Sequence, residues 1–267
     1  MSEQGSPQSP QSVRVRHDGA VTRVRLSEPR RMNPQSPQVW EQLARAAREL
    51  PPETRVVVLS GDGPSFSVGL DRHFLTPDGM RGLFAGESEP EQIAAWIAGY
   101  QEAFTAWREC PALVVAAVQG HAIGAGFQLA LAADVRVVAD DVSFAMAEIT
   151  VGLVPDLGGT GRLVDLVGPD RALEICLTGR RIGAAEAVSL GLAALAVPAA
   201  DLEATVTDLV DAALAADAAA SAELLPLLRG AGARSRAEQL AAERAAQSRL
   251  IHARLTAAMA PNPPTQE

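Results

Sequence analysis

Residues 111–134 restrict what this chain can become more than any other stretch. A run of small and β-branched apolar residues, Leu113 to Val118, reads as a fully buried strand. A tight glycine-rich turn follows at residues 120–126. Residues 127–133 then have the Ala/Leu composition of a buried helix. Strand, glycine turn and helix start together aim unpaired backbone N–H groups, and the positive end of a helix dipole, at one point. An anion, or an oxygen about to become one, suits that point. The alternative is a glycine turn that only packs a helix against a sheet.

The rest of the chain repeats the alternation of strands and helices. Residues 13–16 and 20–26 alternate apolar and polar side chains around His17-Asp18-Gly19, which predicts a β-hairpin with an Asp-Gly turn. His17 reads as a surface residue beside it. Ser36-Pro37 predicts a helix start, and Val39, Trp40, Leu43, Ala46, Ala47 and Leu50 give that helix one apolar face. Residues 55–60 read as a buried strand running into a second glycine-punctuated loop, 61–71. Residues 72–89 carry Pro77, Gly79, Gly82 and Gly86, which predicts a surface loop of the kind that lids a pocket. Residues 91–108 have helical spacing, with Ile93, Trp96, Ile97, Tyr100, Phe104 and Trp107 on one side. That stripe reads as core.

Beyond the central stretch, 135–139 reads as a strand, 143–147 as a short extended piece and 148–160 as a loop. A helix follows at 161–167, then one capped by Asp170 that stops at Gly179, a short helix at 183–191 and a last strand at 192–197. Residues 199–260 are nearly all helix formers, broken by Pro226 and Gly230. The fold class is therefore α/β with parallel βαβ units, and ligands belong at the carboxyl ends of the strands. Three segments are expected: a disordered tail at 1–12, a core at 13–200 and a helical region at 201–267.

The formal charge of −9, without a basic aromatic-interleaved patch, excludes a nucleic-acid partner. No apolar run reaches membrane-spanning length, and residues 1–12 carry no apolar signal-peptide core, so no membrane partner and a cytoplasmic location are expected. Cys110 and Cys176 stand alone and read as reduced thiols; no metal site is indicated.

Several motifs in order resemble the crotonase (enoyl-CoA hydratase/isomerase) superfamily. Phe66-Ser-Val-Gly-Leu-Asp71 is similar to its Phe-x-x-Gly-x-Asp loop. Residues 120–130, ending in Asp134, are similar to its Gly-x-Ala-x-Gly-Gly-Gly-x-Glu-Leu-Ala…Asp signature. Glu148 through Leu163 is similar to its Pro-Glu…Gly-x-x-Pro…Gly-Gly-Thr…Arg-Leu segment, and residues 177–192 to the tail of that core. Leu26-Ser-Glu-Pro…Met-Asn-Pro34 fits its N-terminal strand and turn.

The resemblance implies a spiral of ββα units, a C-terminal helical trimerisation region, and a homotrimer or dimer of trimers. It also implies an acyl-CoA thioester substrate, coenzyme A being part of that substrate, with no separate cofactor. The backbone N–H groups of Val68 and Ala125 would hold the thioester oxygen as it becomes an enolate. Such a donor lowers the barrier by about 3 kcal/mol. Gly69, Asp71, Gly124 and Gln128 would line the substrate.

Hydratases of this family carry two glutamates. One of those positions is Gln128 here, and an amide neither takes up nor delivers a proton near neutral pH. The other is Glu148, intact. Eight residues on stands Asp156, a Glu/Asp pairing similar to that of dienoyl-CoA isomerases; alternatively Asp156 caps the following helix. An aspartate there is also similar to the nucleophile of aroyl-CoA dehalogenases, which lack the glutamate. The resemblance thus implies an enoyl- or dienoyl-CoA double-bond isomerase with Glu148 and Asp156 as its catalytic carboxylates. The alternatives are a hydratase working with Glu148 and Gln128, and a catalytically silent acyl-CoA binder. Arg72 is a candidate partner for the CoA phosphates.

Overall fold

The computed structural model describes residues 12–259. The expectation for the tail therefore lies outside the described residues except at Ser12, whose carbonyl accepts from the Ser27 N–H at 2.8 Å. The described residues fall into two compact units that divide between Asp211 and Ala212.

The first unit is built from one repeated element, strand–short strand–helix. It opens with a hairpin of β1 (Val13–Asp18) and β2 (Val21–Leu26), paired antiparallel. The turn residues are Gly19 and Ala20, one step later than the Asp-Gly turn expected, with Gly19 supplying the positive φ of +54°. β2 leads to β3 (Pro34–Gln35) and helix α1 (Pro37–Arg48), which Ser36 caps. β4 (Val56–Gly61) leads to β5 (Gly69–Leu70), α2 (Pro77–Leu83) and α3 (Pro90–Glu109). β6 (Leu113–Val118) leads to β7 (His121–Ile123) and α4 (Ala125–Ala132). β8 (Val135–Ala139) leads to β9 (Ser143–Ala145) and α5 (Gly159–Val167).

The long strands make a sheet in the order β1-β2-β4-β6-β8 and then β11 (Leu195–Val197), parallel from β2 onward. Val57, Val114, Val115, Val118, Val137 and Val138 have no exposed surface, as a parallel sheet covered on both faces requires. The short strands pair separately: β3 with β5, and β7 with β9, on which β10 (Ile182–Gly183) closes the edge. The first unit is thus a spiral of ββα units, the fold class expected. Helices α6 (Pro169–Thr178), α7 (Ala184–Ser189) and the first part of α8 (Leu202–Ala215) complete the unit.

Residues 72–89 are not a loop. Asp71 and Thr76 cap a 3-10 turn and α2, their side chains accepting the His73 and Gly79 N–H groups. Of the glycines that disguised the helix, Gly79 packs it: a Cβ there would lie 2.0 Å from the His73 carbonyl oxygen. Asp170 is not the cap of α6 either. Gly168 holds that position with Pro169 first in the helix, so Asp170 sits in the first turn, where a negative charge favours the helix dipole.

The second unit contains α9 (Ala218–Arg229) and α10 (Arg236–Met259). Asp217 caps α9, and Arg249 grips Glu223 with two nitrogens at 2.6 and 2.7 Å. Pro226 lies inside α9 rather than ending it. It falls in the last turn, where one missing N–H leaves most of the helix's bonds in place. Among the described residues no helix is long and apolar enough to cross a membrane.

Candidate active site

The two glycine-rich loops, one after β4 and one after β6, are pressed together. Ser67 bridges Ala122, and the Phe66 and Ser67 N–H groups donate to the carbonyls of Gln119 and His121. Gly69 makes the approach possible. Its φ is +81°, and a Cβ there would sit 2.3 Å from the Ile123 carbonyl oxygen and 3.3 Å from the Ala125 nitrogen. The start of α4 is thereby placed beside the first loop.

A cavity of about 530 Å³ opens at this junction. Val68, Gly124, Ala125, Gln128, Glu148 and Asp156 all line it. Ala125 is the first residue of α4, so its N–H belongs to the group that a helix leaves without an intrahelical acceptor. Its φ is negative, so the Cβ that replaces the usual glycine hydrogen is accommodated.

Val68 differs from the expectation. Its N–H donates to the Met32 carbonyl at 3.0 Å, drawn there by the pairing of β3 with β5. This donor reaches a second oxygen only by sharing its hydrogen in a three-centre bond. Asp71 is likewise committed. Its carboxylate takes an ion pair from Arg31 and the His73 N–H, and these bonds hold it below the usual carboxylate range although burial pushes the other way. It fixes the loop and does not line the cavity. Gly69 too is a buried packing residue, its N–H donating to Ser67 Oγ at 3.1 Å.

Gln128 is buried and bonded at both ends of its amide. Its Oε1 accepts the N–H groups of Leu157 and Gly159, at 2.9 and 3.2 Å. Its Nε2 must then point the other way, and it donates to Glu148 Oε1 at 2.8 Å. The amide is a strut between the 157–159 loop and the carboxylate. Glu148 Oε2 is buried and has no hydrogen-bond partner among the described residues. Burial, with the nearby charge of Asp156 adding to it, raises the Glu148 carboxyl above its ordinary value, against the opposing bond from Gln128. Burial raises Asp156 as well.

Asp156 does not cap α5, whose N-cap is Gly158 with no side-chain bond. Instead Gln101 of α3 holds its backbone, Nε2 donating to the Asp156 carbonyl at 2.7 Å. Two carboxylates of raised proton affinity thus share one apolar cavity. Paired carboxylates tuned in this way are suited to taking and returning protons near neutral pH. Among the described residues no three His, Cys, Asp or Glu side chains gather as a metal site.

A model of the enoyl-CoA hydratase/isomerase family matches residues 16–259. The chain belongs to the enoyl-CoA hydratase/isomerase family. It is 45% identical to a candidate enoyl-CoA hydratase of Thermobifida fusca YX solved in complex with CoA, over 90% of this chain and 93% of that one, with a TM-score of 0.83. It is 34% identical, over 67% of this chain and 66% of that protein, to the peroxisomal Delta(3,5)-Delta(2,4)-dienoyl-CoA isomerase of Arabidopsis thaliana. It is 40% identical, over 66% of this chain and 64% of that protein, to the Mycobacterium tuberculosis protein named "Probable enoyl-CoA hydratase EchA17".

The aromatic stripe of this family member divides along α3. Phe104 and Trp107 are core, whereas Ile93, Ile97 and Tyr100 line the cavity and Trp96 is 41% exposed. Sequence reasoning missed Tyr100, Trp40 and Gln101 as site residues, because helical spacing shows which side of a helix is apolar and not what faces it. Arg72 and Arg181 also line the cavity.

Proposed function

We propose that this protein is an acyl-CoA double-bond isomerase in which Glu148 and Asp156 move the proton. Glu148 takes the proton from the carbon next to the thioester carbonyl, and the electron pair passes into the carbonyl as an enolate. The Ala125 N–H, with that of Val68 where it is shared, stabilises the enolate oxygen. The protonated Glu148, or Asp156, returns a proton at a more distant carbon, so the double bond moves into conjugation and no atom is gained or lost.

The observation that carries this reading is the pair of hydrogen bonds that the Leu157 and Gly159 N–H groups donate to Gln128 Oε1. It turns the amide nitrogen onto Glu148, so that the position where hydratases of this family carry a second glutamate holds a group that transfers no proton. Asp156 is the other carboxylate among the described residues that line the cavity, and it is taken as the partner of Glu148. The peroxisomal dienoyl-CoA isomerase of Arabidopsis, 34% identical to this chain, also supports the reading.

The second reading is hydration with Glu148 alone as the acid/base group, favoured by the hydratase names of the Thermobifida and Mycobacterium relatives. Absorbance of the purified protein with 3-enoyl-, 3,5-dienoyl- and 2-enoyl-CoA separates the two. The isomerase reading expects conjugated absorbance to rise from an unconjugated ester. Loss of absorbance from the 2-enoyl ester alone sinks it, and no change with any of them leaves a binder.

The same proposal includes a homotrimer, or a dimer of trimers, in the cytoplasm. Leu224, Leu228, Ile251 and Leu255 stand 48–65% exposed on α9 and α10, which supports assembly through these helices. Light scattering of the full chain would show a monomer if that assembly is wrong.

A further inference from the structure

Two cavities meet at one pair of rings. The site cavity and a second cavity of about 570 Å³, which runs between α1 and α3, are both lined by Trp40 and Tyr100. The ring centroids are 4.9 Å apart with planes tilted by 51°. Each ring is tied at its polar tip. The Trp40 indole N–H donates to Gln35 Oε1 at 2.8 Å, and the Tyr100 hydroxyl donates to the Leu83 carbonyl, joining α3 to α2. Neither ring swings aside without breaking a hydrogen bond in a half-buried or buried place.

The two sides of this pair differ in chemistry. On the site side the lining is apolar, with Leu70, Met80, Leu83, Phe84, Ile93 and Ile97. On the far side lie Glu41, Glu87 and the Arg48–Glu102 ion pair, 2.6 Å long. An alkyl chain extending from a thioester at Ala125 and Glu148 gains from the first surface and is stopped before the second.

We propose that Trp40 and Tyr100 form the end wall of the acyl pocket and set the longest acyl chain the site accepts. This rests on the reading of the cavity as an acyl-CoA site. Removing the Tyr100 ring joins the two cavities, and longer chains then pass through.

The test is calorimetric binding of saturated straight-chain acyl-CoAs, butanoyl to hexadecanoyl, to the full chain. In the parent protein each methylene that fits tightens binding by about fourfold, up to a length beyond which the gain stops. Tyr100→Ala moves that break to longer chains and strengthens the first esters beyond it by about tenfold or more. Tyr100→Phe, which loses the bond to Leu83 but keeps the ring, leaves the break in place. Tyr100→Leu moves it by fewer carbons, so the outcome does not hang on the alanine variant folding. Gly99→Leu in the Tyr100→Ala background restores the short break, because Gly99 lines the second cavity and a Cβ there meets no atom within 4 Å.

An unmoved break in the folded alanine and leucine variants overturns the wall, as does a parent protein with no break at any length. A parent protein that binds neither the esters nor free CoA overturns the acyl-CoA reading and the wall with it. Binding of every ester without a break overturns the wall alone.

Discussion

Gln128 and Glu148 are joined end to end: Gln128 Nε2 donates to Glu148 Oε1 at 2.8 Å, while the backbone of residues 157–159 holds the other end of the amide. The amide thereby fixes one carboxylate oxygen and leaves Oε2 without a hydrogen-bond partner among the described residues. Glu148→Gln keeps the shape of the side chain and removes its capacity to take a proton. We expect kcat to fall by about 10²- to 10⁴-fold while affinity for a saturated acyl-CoA stays. Steady-state kinetics beside calorimetry would settle it, and a Gln variant that retains most of its turnover removes Glu148 as the base.

Gln128→Leu strips the acceptor from two buried N–H groups, those of Leu157 and Gly159. Each stranded donor costs about 1–3 kcal/mol. The variant should show a clearly lower midpoint in urea, together with a loss of activity, because Glu148 loses its strut. Unchanged stability would mean that water satisfies those groups.

The raised carboxyls of Glu148 and Asp156 tie stability to pH. A carboxyl whose proton affinity is higher folded than unfolded keeps its proton more readily in the native state. Its contribution to stability is complete below the ordinary carboxylate range and is lost as pH rises through the folded value. Glu148→Gln should therefore be more stable than the parent near neutral pH, with the difference closing as the pH falls into the ordinary carboxylate range. Denaturation followed across that window checks it; a difference that grows toward acid would reverse the sign.

Asp156 raises Glu148 by its charge. If ionised Glu148 is the base, kcat/KM climbs with pH along a limb whose midpoint lies above the ordinary carboxylate range. Asp156→Asn should move that midpoint to lower pH in whatever activity remains. A limb that stays put would show that the two carboxylates are not coupled.

Gly124 has φ +53°, and a Cβ on it would stand 3.3 Å from Glu148 Oε1. Gly124→Ala combines backbone strain of about 1–3 kcal/mol with pressure on the base. Both thermal stability and kcat should drop, KM changing less. Normal turnover in this variant would show that Glu148 has room to move.

Much of this was legible in the sequence. The strand–glycine–helix run was readable, although the helix starts at Ala125, inside the stretch read as a turn, and the family resemblance pointed to Glu148 and Asp156, which line one cavity. What escaped was decided by contacts between distant residues. The capture of the Val68 N–H by Met32 depends on how β3 pairs with β5, which no local pattern encodes. Helix α2 hid behind Gly79 and Gly82, although Thr76-Pro77 was a readable start signal. The strut role of Gln128 follows from where the 157–159 loop returns, 29 residues later in the chain. Pro226 read as a helix break because proline usually is one, and here it sits where the helix is about to end anyway.

The central claim is that turnover shifts a double bond without adding water. Its most direct test is the mass of the CoA ester after incubation of a 3-enoyl-CoA with the purified full chain, in ordinary and in heavy water. The account predicts a product of unchanged mass in ordinary water that takes up deuterium in heavy water, and no such change with Glu148→Gln. A product that has gained the mass of one water, from this ester or from the 2-enoyl ester, would contradict it.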